Sequence, residues 1–312
     1  MMSEYCFGID VGGTTIKLGC FMTDGTLLEK WEIPTRLEEQ GKYILSDAAG
    51  EVKRVIRERG LTNEQVCGVG LAVPGPVNDE GEASQAVNLH WGYKHLVREL
   101  GDMLNLPVCA ANDANAAALG ELWQGAGKGC RNMIMVTLGT GVGGGIIVNG
   151  KIVAGEHGAA GEIGHACVEP SETAVCNCGN HGCLEQMASA TGIVRLARME
   201  LSGCEEKSLL RAQEVTAKHV FDAYKQQDAL AGRVVEKFAQ YLGNALSIYA
   251  CVVDPGRIVI GGGVSKAGDV LIEPIRKYYE RDAFPACKGT PIVLAELGND
   301  AGIYGSAKLV LP

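Results

Sequence analysis

His165, Cys176, Cys178 and Cys183 supply one imidazole and three thiols within nineteen residues of chain. One nitrogen and three soft sulfur donors are the set that a closed tetrahedral Zn²⁺ site uses. Asn177, Gly179, Asn180 and Gly182 stand between the cysteines. Such small or turn-forming residues let the backbone curl around one ion without secondary structure of its own. A site with four protein ligands has no position for a water nucleophile, so the metal is expected to shape the loop and do no chemistry. A disulfide pair and a group of free thiols are the competing readings; a histidine beside close cysteines favours zinc. An acidic residue, Glu162, stands just ahead of these ligands and another, Glu185, just behind.

Three glycine runs are the next residues with chemistry in them. Asp10-Val11-Gly12-Gly13-Thr14-Thr15 and Gly139-Thr140-Gly141 each place glycine and threonine at the tip of a turn after a strand pattern. Bare amides and hydroxyls there can approach phosphate oxygens, and two such tips suit a triphosphate. The third run, Gly261-Gly262-Gly263, ends a strand and opens a helix, where flat backbone can meet adenine or ribose. Any one run alone reads as a tight turn; three at equivalent strand ends read as nucleotide binding. Gly139, Gly141 and Gly144 also satisfy G-x-G-x-x-G, but the dinucleotide fingerprint needs a helix next. The chain continues instead with the alternating IIVNGKIV, so that reading is rejected. Asp10, at the end of the first strand, is a candidate to hold Mg²⁺ through water, with a turn-capping aspartate as the plain alternative.

The elements that position these residues follow from periodicity. Residues 5–33 read as three antiparallel strands joined by the glycine turn and by Asp24-Gly25, a hairpin signal. A helix is expected from about Tyr43 to Arg59, then the strand VCGVGLAVPG, a helix near Tyr93–Leu104 and the strand PVCAA. Asn112 and Asp113 sit at the junction between that strand and the helix ANAAALGELWQ. From Asn132 the opening pattern returns: strand, glycine turn, strand, Asn149-Gly150, strand, about 128 residues on. Such a repeat predicts an α/β chain of two lobes of one design with a ligand cleft between them. The expected division is residues 1–112 with about 300–312 as a small lobe, and 113–299 as a large lobe carrying the metal loop. Helices are expected near Leu184–Leu201, Glu214–Gln227, Leu230–Val253 and Val270–Arg281, then the strand PIVLAEL and a closing helix from Ala301.

Composition excludes some classes. A net charge of -9 disfavours nucleic acid and anionic membranes as partners, and 46% hydrophobic residues provide cores for two lobes over 312 residues. No basic n-region opens the chain and no window of eighteen residues is free of charge and glycine, which points to a cytoplasmic protein. Of twelve cysteines, those scattered singly through apolar segments, Cys109, Cys130 and Cys251 among them, read mostly as reduced core residues.

Five blocks together resemble the ROK family (repressors, open reading frames, kinases), sugar kinases within the actin-like ATPase superfamily, whose two-lobed fold is ribonuclease H-like. They are DVGGTTIK at 10–17, AVPGPV at 72–77, NDANAAALGE at 112–121, LGTGVGGGIIVNGKIVAGEHGAAGEIGH at 138–165 and CNCGNHGCLE at 176–185. The resemblance implies that Asp113 is the general base taking the proton of a sugar hydroxyl as it attacks the γ-phosphoryl group of ATP. It implies sugar contacts from Asn112, Glu162, His165 and Glu185, with His165 presenting one nitrogen to the metal and one to the sugar. Glu185 as a helix cap and Asn112 as a junction residue are the plain alternatives.

By the same resemblance Gly13, Thr14, Thr15, Thr140 and Gly141 contact phosphate, while Gly12, Gly262 and Gly263 are placed on the nucleotide by the glycine runs themselves. Thr15 departs from the asparagine common in relatives, and Lys17 reads equally as a phosphate contact or a strand-face lysine. AVPGPV, AVNLHW and NDANAAALGE look like bacterial ATP-dependent glucokinases, implying transfer to the 6-hydroxyl of glucose. N-acetylmannosamine, fructose or allose are alternative sugars, and a noncatalytic sugar sensor is the alternative of another kind. His90 departs from the glycine that many relatives carry before the tryptophan. The family's repressors carry a DNA-binding module ahead of the body, for which a first glycine turn at residue 11 leaves no room. Homo-oligomerisation is what the family suggests.

Overall fold

The computed structural model describes residues 4–84 and 86–312. The start of the N-terminal stretch read above for a targeting signal lies outside the described residues.

The first sheet is formed by β1 (Tyr5–Val11), β2 (Thr15–Met22), β3 (Leu27–Pro34), β4 (Val66–Val73) and β5 (Val108–Asn112), in the order β3-β2-β1-β4-β5. The second contains β6 (Met133–Leu138), β7 (Val142–Val148), β8 (Lys151–Ile152), β9 (Arg257–Gly261) and β10 (Ile292–Leu294), in the order β8-β7-β6-β9-β10. Counted from its own first strand, each sheet runs 3-2-1-4-5, so the repeat read in the sequence is a repeat of topology. Antiparallel pairing of β1 with β2 and parallel pairing of β1 with β4 and of β4 with β5 put the carboxyl ends of three strands on one edge. The same edge in the second sheet is the carboxyl end of β6, β9 and β10, which are parallel. Asn149 and Gly150 both take positive φ, 52° and 78°, the mirror-image turn that matches strand twist. β7 runs straight through Gly144, so no helix follows the G-x-G-x-x-G match.

By its internal contacts the chain forms two compact units, one of Met1–Gly129, Gly145–Gly161 and Glu296–Pro312, the other of Cys130–Gly144 and Glu162–Ala295. In the first unit, alternation along β1 decides what lies on each face. Phe7, Ile9 and Val11 join the core made with α1 (Ile44–Glu58) and α2 (Leu96–Leu104). Cys6 instead packs with Ile303 and Ala307 of the last helix, α9 (Ala301–Leu309). That helix lies directly on backbone: a Cβ on Gly70 would sit 1.6 Å from the Ser306 carbonyl oxygen. Its other side meets α3 (Asp113–Gln124), where a Cβ on Gly305 would sit 1.6 Å from the Ala116 carbonyl oxygen. Both contacts therefore demand glycine, and they hold α3 and α9 at backbone distance.

Helices dominate the second unit: α4 (Leu184–Ala188), α5 (Ala190–Gly203), α6 (Ala217–Lys225), α7 (Ala229–Val253) and α8 (Asp269–Asp282). The single helix expected over Leu184–Leu201 is two. Ser189 is extended (φ -81°, ψ 173°) and its Oγ accepts the Gly192 N–H at 2.9 Å, ending one helix and capping the next. The helix expected from Tyr93 starts at Leu96, because Lys94–His95 pair as a short strand with Glu82–Ala83. That expected from Glu214 starts at Ala217, capped by Thr216 Oγ1.

All twelve cysteines are free, and the core assignment holds for Cys6, Cys20 and Cys287, while Cys109 and Cys130 are half-buried. Cys251 corrects it. It is exposed on α7 next to Val252, which is 83% exposed, because the helix turns its opposite face to the core.

Candidate active site and metal centre

Asn112 ends β5 with extended geometry, and its Oδ1 accepts the N–H groups of Ala114 and Asn115 at 2.9 and 3.2 Å. It is thus the cap of α3, and its Nδ2 donates to the Gly75 carbonyl at 3.1 Å, tying this junction to the loop after β4. One amide N–H remains for a ligand. Asp113 is the first residue of α3, exposed, with Oδ1 accepting its neighbour Ala114 N–H at 2.8 Å.

Asp10 stands at the end of β1, cross-strand from Lys17. Burial first, and then the negative charge of Asp113, push its carboxyl up to about 6, with Lys17 opposing. Lys17 donates to the Asn299 carbonyl at 3.0 Å, so its ammonium is fastened to backbone and acts on the Asp10 carboxylate through its charge. A buried carboxyl raised by a neighbouring carboxylate, with one lysine opposing, forms a site that a divalent cation would relieve. The turn itself is closed by Gly12 N–H to Thr15 O at 2.9 Å, and Thr35 Oγ1 ties down the Gly12 carbonyl at 2.7 Å. Gly13 and Thr14 lie at the tip, with Thr14 exposed.

In the second unit the glycine turn Gly139-Thr140-Gly141 is fastened to the start of α5. Ala190 N–H donates to Gly139 O at 2.8 Å and Thr191 Oγ1 to Thr140 O at 2.8 Å. An amide-rich turn and a helix N-terminus thereby share one spot, the arrangement that attracts phosphate. Gly262 takes φ +83°, and a Cβ there would strike the Leu138 carbonyl oxygen at 2.5 Å, so the third glycine run lies against the end of β6. The helix it opens is a short 3₁₀ turn, Gly263–Ala267, with α8 following only at Asp269.

The four metal candidates come together. Their donor atoms all lie within 4.8 Å of one another; His165 Nδ1 is 3.8 Å from Cys176 Sγ, and Cys178 Sγ is 3.7 Å from Cys183 Sγ. Tetrahedral zinc with sulfur ligands would set such sulfurs about 3.8 Å apart, so the donor set fits. Burial pushes the Cys183 thiol up to about 12 and raises Cys176, whereas the Asn180 N–H holds Cys178 below the ordinary thiol range. Three such thiols ionise together only with a cation among them.

His165 turns its other nitrogen outward, Nε2 standing 3.9 Å from Glu162 Oε2. Glu185, on the first turn of α4, reaches back: Oε2 accepts the Val142 N–H at 3.1 Å, and Oε1 faces Cys176 Sγ at 3.8 Å. The metal loop is buttressed by α7, from which Tyr249 Oη donates to Ile163 O at 2.9 Å and Tyr241 Oη to Glu169 Oε2 at 2.7 Å.

Residues 6–312 match the ROK family profile. The chain belongs to the ROK family. It is similar to the glucokinase of Halalkalibacterium halodurans, 45% identical over 99% of this chain and 96% of that protein. Among solved structures it is similar to the ROK hexokinase from Thermus thermophilus, with a TM-score of 0.83 at 32% identity over 98% of this chain and 97% of that one. It is also similar to a ROK family glucokinase from Streptomyces griseus in complex with glucose and AMPPNP, with a TM-score of 0.76 at 33% identity over 98% of each chain. These neighbours have the actin-like ATPase fold, and the paired 3-2-1-4-5 sheets are that fold in this ROK chain.

Three features of this ROK chain escaped the sequence reading. Glu121 is fully buried, its carboxylate accepting N–H groups from Ala126, Glu296 and Leu297 at 2.8, 3.1 and 2.8 Å; partners 175 residues away leave no local signal. Cys167 lies inside the metal stretch but outside the donor cluster, and no spacing rule separates it from the ligands. His90 takes φ 58°, a left-handed position that glycine occupies at less cost, a strain that its place in the sequence does not announce.

Proposed function

We propose that this chain is an ATP-dependent glucokinase that transfers the γ-phosphoryl group of ATP to the 6-hydroxyl of glucose. The observation that carries the reading is Asp113 at the head of α3, exposed beside the capping Asn112, in a chain 45% identical to a glucokinase over nearly its whole length. An alcohol is a weak nucleophile until a carboxylate aims it and takes its proton late in the transfer. Asp113 supplies that carboxylate. Asn112, Glu162, His165 and Glu185 supply the hydrogen bonds that orient the sugar ring.

Phosphate oxygens are received by the Gly12–Thr15 tip and by Thr140 and Gly141 at the start of α5, where amides converge. Gly262 and Gly263 offer flat backbone to the nucleoside. Asp10 would hold Mg²⁺ through water, and bound Mg²⁺ supplies neutralisation of charge on the transferred group. Zn²⁺ held by His165, Cys176, Cys178 and Cys183 would fix Glu185 and Glu162, since His165 touches one and Cys176 faces the other. No helix among the described residues is long and apolar enough to cross a membrane, which supports a cytoplasmic enzyme with small-molecule partners.

Steady-state kcat/KM for glucose, N-acetylmannosamine, fructose, allose and N-acetylglucosamine tests the substrate. Glucose is expected to rank first; a deficit greater than about tenfold, roughly 1.4 kcal/mol of transition-state preference, against any other sugar would overturn it. ADP release with Asp113→Asn beside the unaltered enzyme tests the chemistry. Near-zero release from both across the panel means a sugar sensor.

A further inference from the structure

Cys167 is exposed while Cys183, one of the four donors, is fully buried. The backbone nevertheless sets them face to face as an antiparallel β-bridge. Val168 N–H donates to Gly182 O at 2.7 Å and Leu184 N–H to Ala166 O at 2.9 Å. The bonds are thus made by the flanking residues and not by the two cysteines. A pair of this kind brings Cα atoms to about 4.5 Å with both side chains on one face, inside the roughly 4.4–6.8 Å that a disulfide spans. Gly182 lets the two segments lie this close: a Cβ there would stand 2.1 Å from the Glu169 carbonyl oxygen and 3.2 Å from Cys167 Sγ.

We propose that Cys167 is an oxidation site whose product is a reversible disulfide with Cys183, and that forming it withdraws one thiolate from the metal donor set. The consequence for metal rests on the zinc reading above. Cys178 is also exposed, but with metal bound its sulfur is engaged, which leaves Cys167 as the thiol of this loop open to an oxidant.

With hydrogen peroxide as oxidant, the Cys167 sulfur attacks one peroxide oxygen. An S–O bond forms, the O–O bond breaks, and the departing hydroxide takes a proton and leaves as water. The Cys183 sulfur then attacks the sulfenic sulfur; the S–S bond forms, the S–O bond breaks, and a second water leaves. The two thiols have lost two electrons, and peroxide has gained them. His165, Cys176 and Cys178 remain, too few to close a tetrahedral site. Cys183 also precedes α4 directly, so the helix carrying Glu185 loses its anchor. A dithiol reductant reverses the change.

The purified holoprotein is assayed for zinc and treated with hydrogen peroxide. Metal release is followed with a chromogenic chelator, and disulfides are mapped by peptide mass without reduction. Expected are a Cys167–Cys183 cross-link, zinc release in step with it, and recovery with dithiothreitol plus Zn²⁺. Cys167→Ser should leave basal glucose phosphorylation unchanged and slow the release roughly tenfold; Cys167→Ala should do the same. A cross-link mapping to Cys178–Cys183 or Cys176–Cys178, or equal release from Cys167→Ser, overturns the proposal. Protein that purifies without zinc overturns the metal reading separately, and the presence or absence of the Cys167–Cys183 cross-link still decides the pairing.

Discussion

Glu185 accepts the backbone N–H of Val142 at 3.1 Å, directly beneath the glycine turn. A Cβ on Gly141 would stand 1.9 Å from the same carboxylate oxygen. The obstruction is the far end of a flexible side chain and not backbone, so Gly141→Ala should fold and displace Glu185. The expected outcome is a melting temperature within a few degrees of the unaltered protein, with kcat/KM for glucose reduced on the order of a hundredfold. Thermal melts and steady-state kinetics on one preparation check this; a variant with unchanged kinetics would remove Glu185 from the sugar site.

Asp10 gives a pH prediction. Burial and the neighbouring Asp113 raise its carboxyl from 3.8 to about 6. A group whose pKa is higher folded than unfolded lends stability that is present in full below the unfolded value and is lost as pH rises through the folded one. Asp10→Asn should therefore stabilise the ligand-free protein at pH 7.5, by up to about 3 kcal/mol, and change little at pH 3.5. Urea titrations at the two pH values measure the difference, and equal shifts at both would show that Asp10 ionises normally.

What the sequence disclosed and what it withheld divide by range. The two sheets were legible because alternation and the Asp24-Gly25 and Asn149-Gly150 turns are local signals, and the metal donors because all four fall in one short stretch. Ser189 was legible in principle: a serine shortly ahead of the apolar run that begins at Ile193 is a cap signal, yet the surrounding periodicity reads as continuous helix. The approach of α9 to β4 and α3 was not legible. It depends on Gly70 and Gly305 meeting backbone across more than 180 residues, and a lone glycine in a strand or helix announces only that something lies close. Glu121 was hidden for the same reason, and the opposition of Cys167 to Cys183 appears only once the loop's own bridge is known.

Glu121 predicts a stability effect without a catalytic one. Its carboxylate satisfies N–H groups of Ala126, Glu296 and Leu297 with no exposure to water. Glu121→Ala removes the acceptor of one buried N–H group, Ala126, and of two part-buried ones, Glu296 and Leu297; a buried donor left unpaired costs about 1–3 kcal/mol, so the loss should be at least about 2 kcal/mol. Glu121→Gln keeps acceptor oxygen for part of the set and should cost less than half as much. Denaturant unfolding ranks the two, and equal losses would mean that packing volume, not hydrogen bonding, fixes this residue.

Metal removal gives the last prediction. With zinc gone, Cys183, which burial pushes up to about 12, takes up a proton near neutral pH, and Cys176, raised by burial as well, follows. The loop then loses the ion that joins its two ends, since His165 stands at one and Cys183 at the other. Tyr249 and Tyr241 still hold Ile163 and Glu169, so the damage should concentrate between Glu172 and Cys183. Limited proteolysis of chelator-treated protein should cut within that segment, whereas the zinc-loaded protein resists. The KM for glucose should rise more than the KM for ATP, because Glu185 and His165 are the residues set free. Restoring Zn²⁺ should reverse both effects; identical cleavage patterns with and without chelator would show that the loop is held by its hydrogen bonds alone.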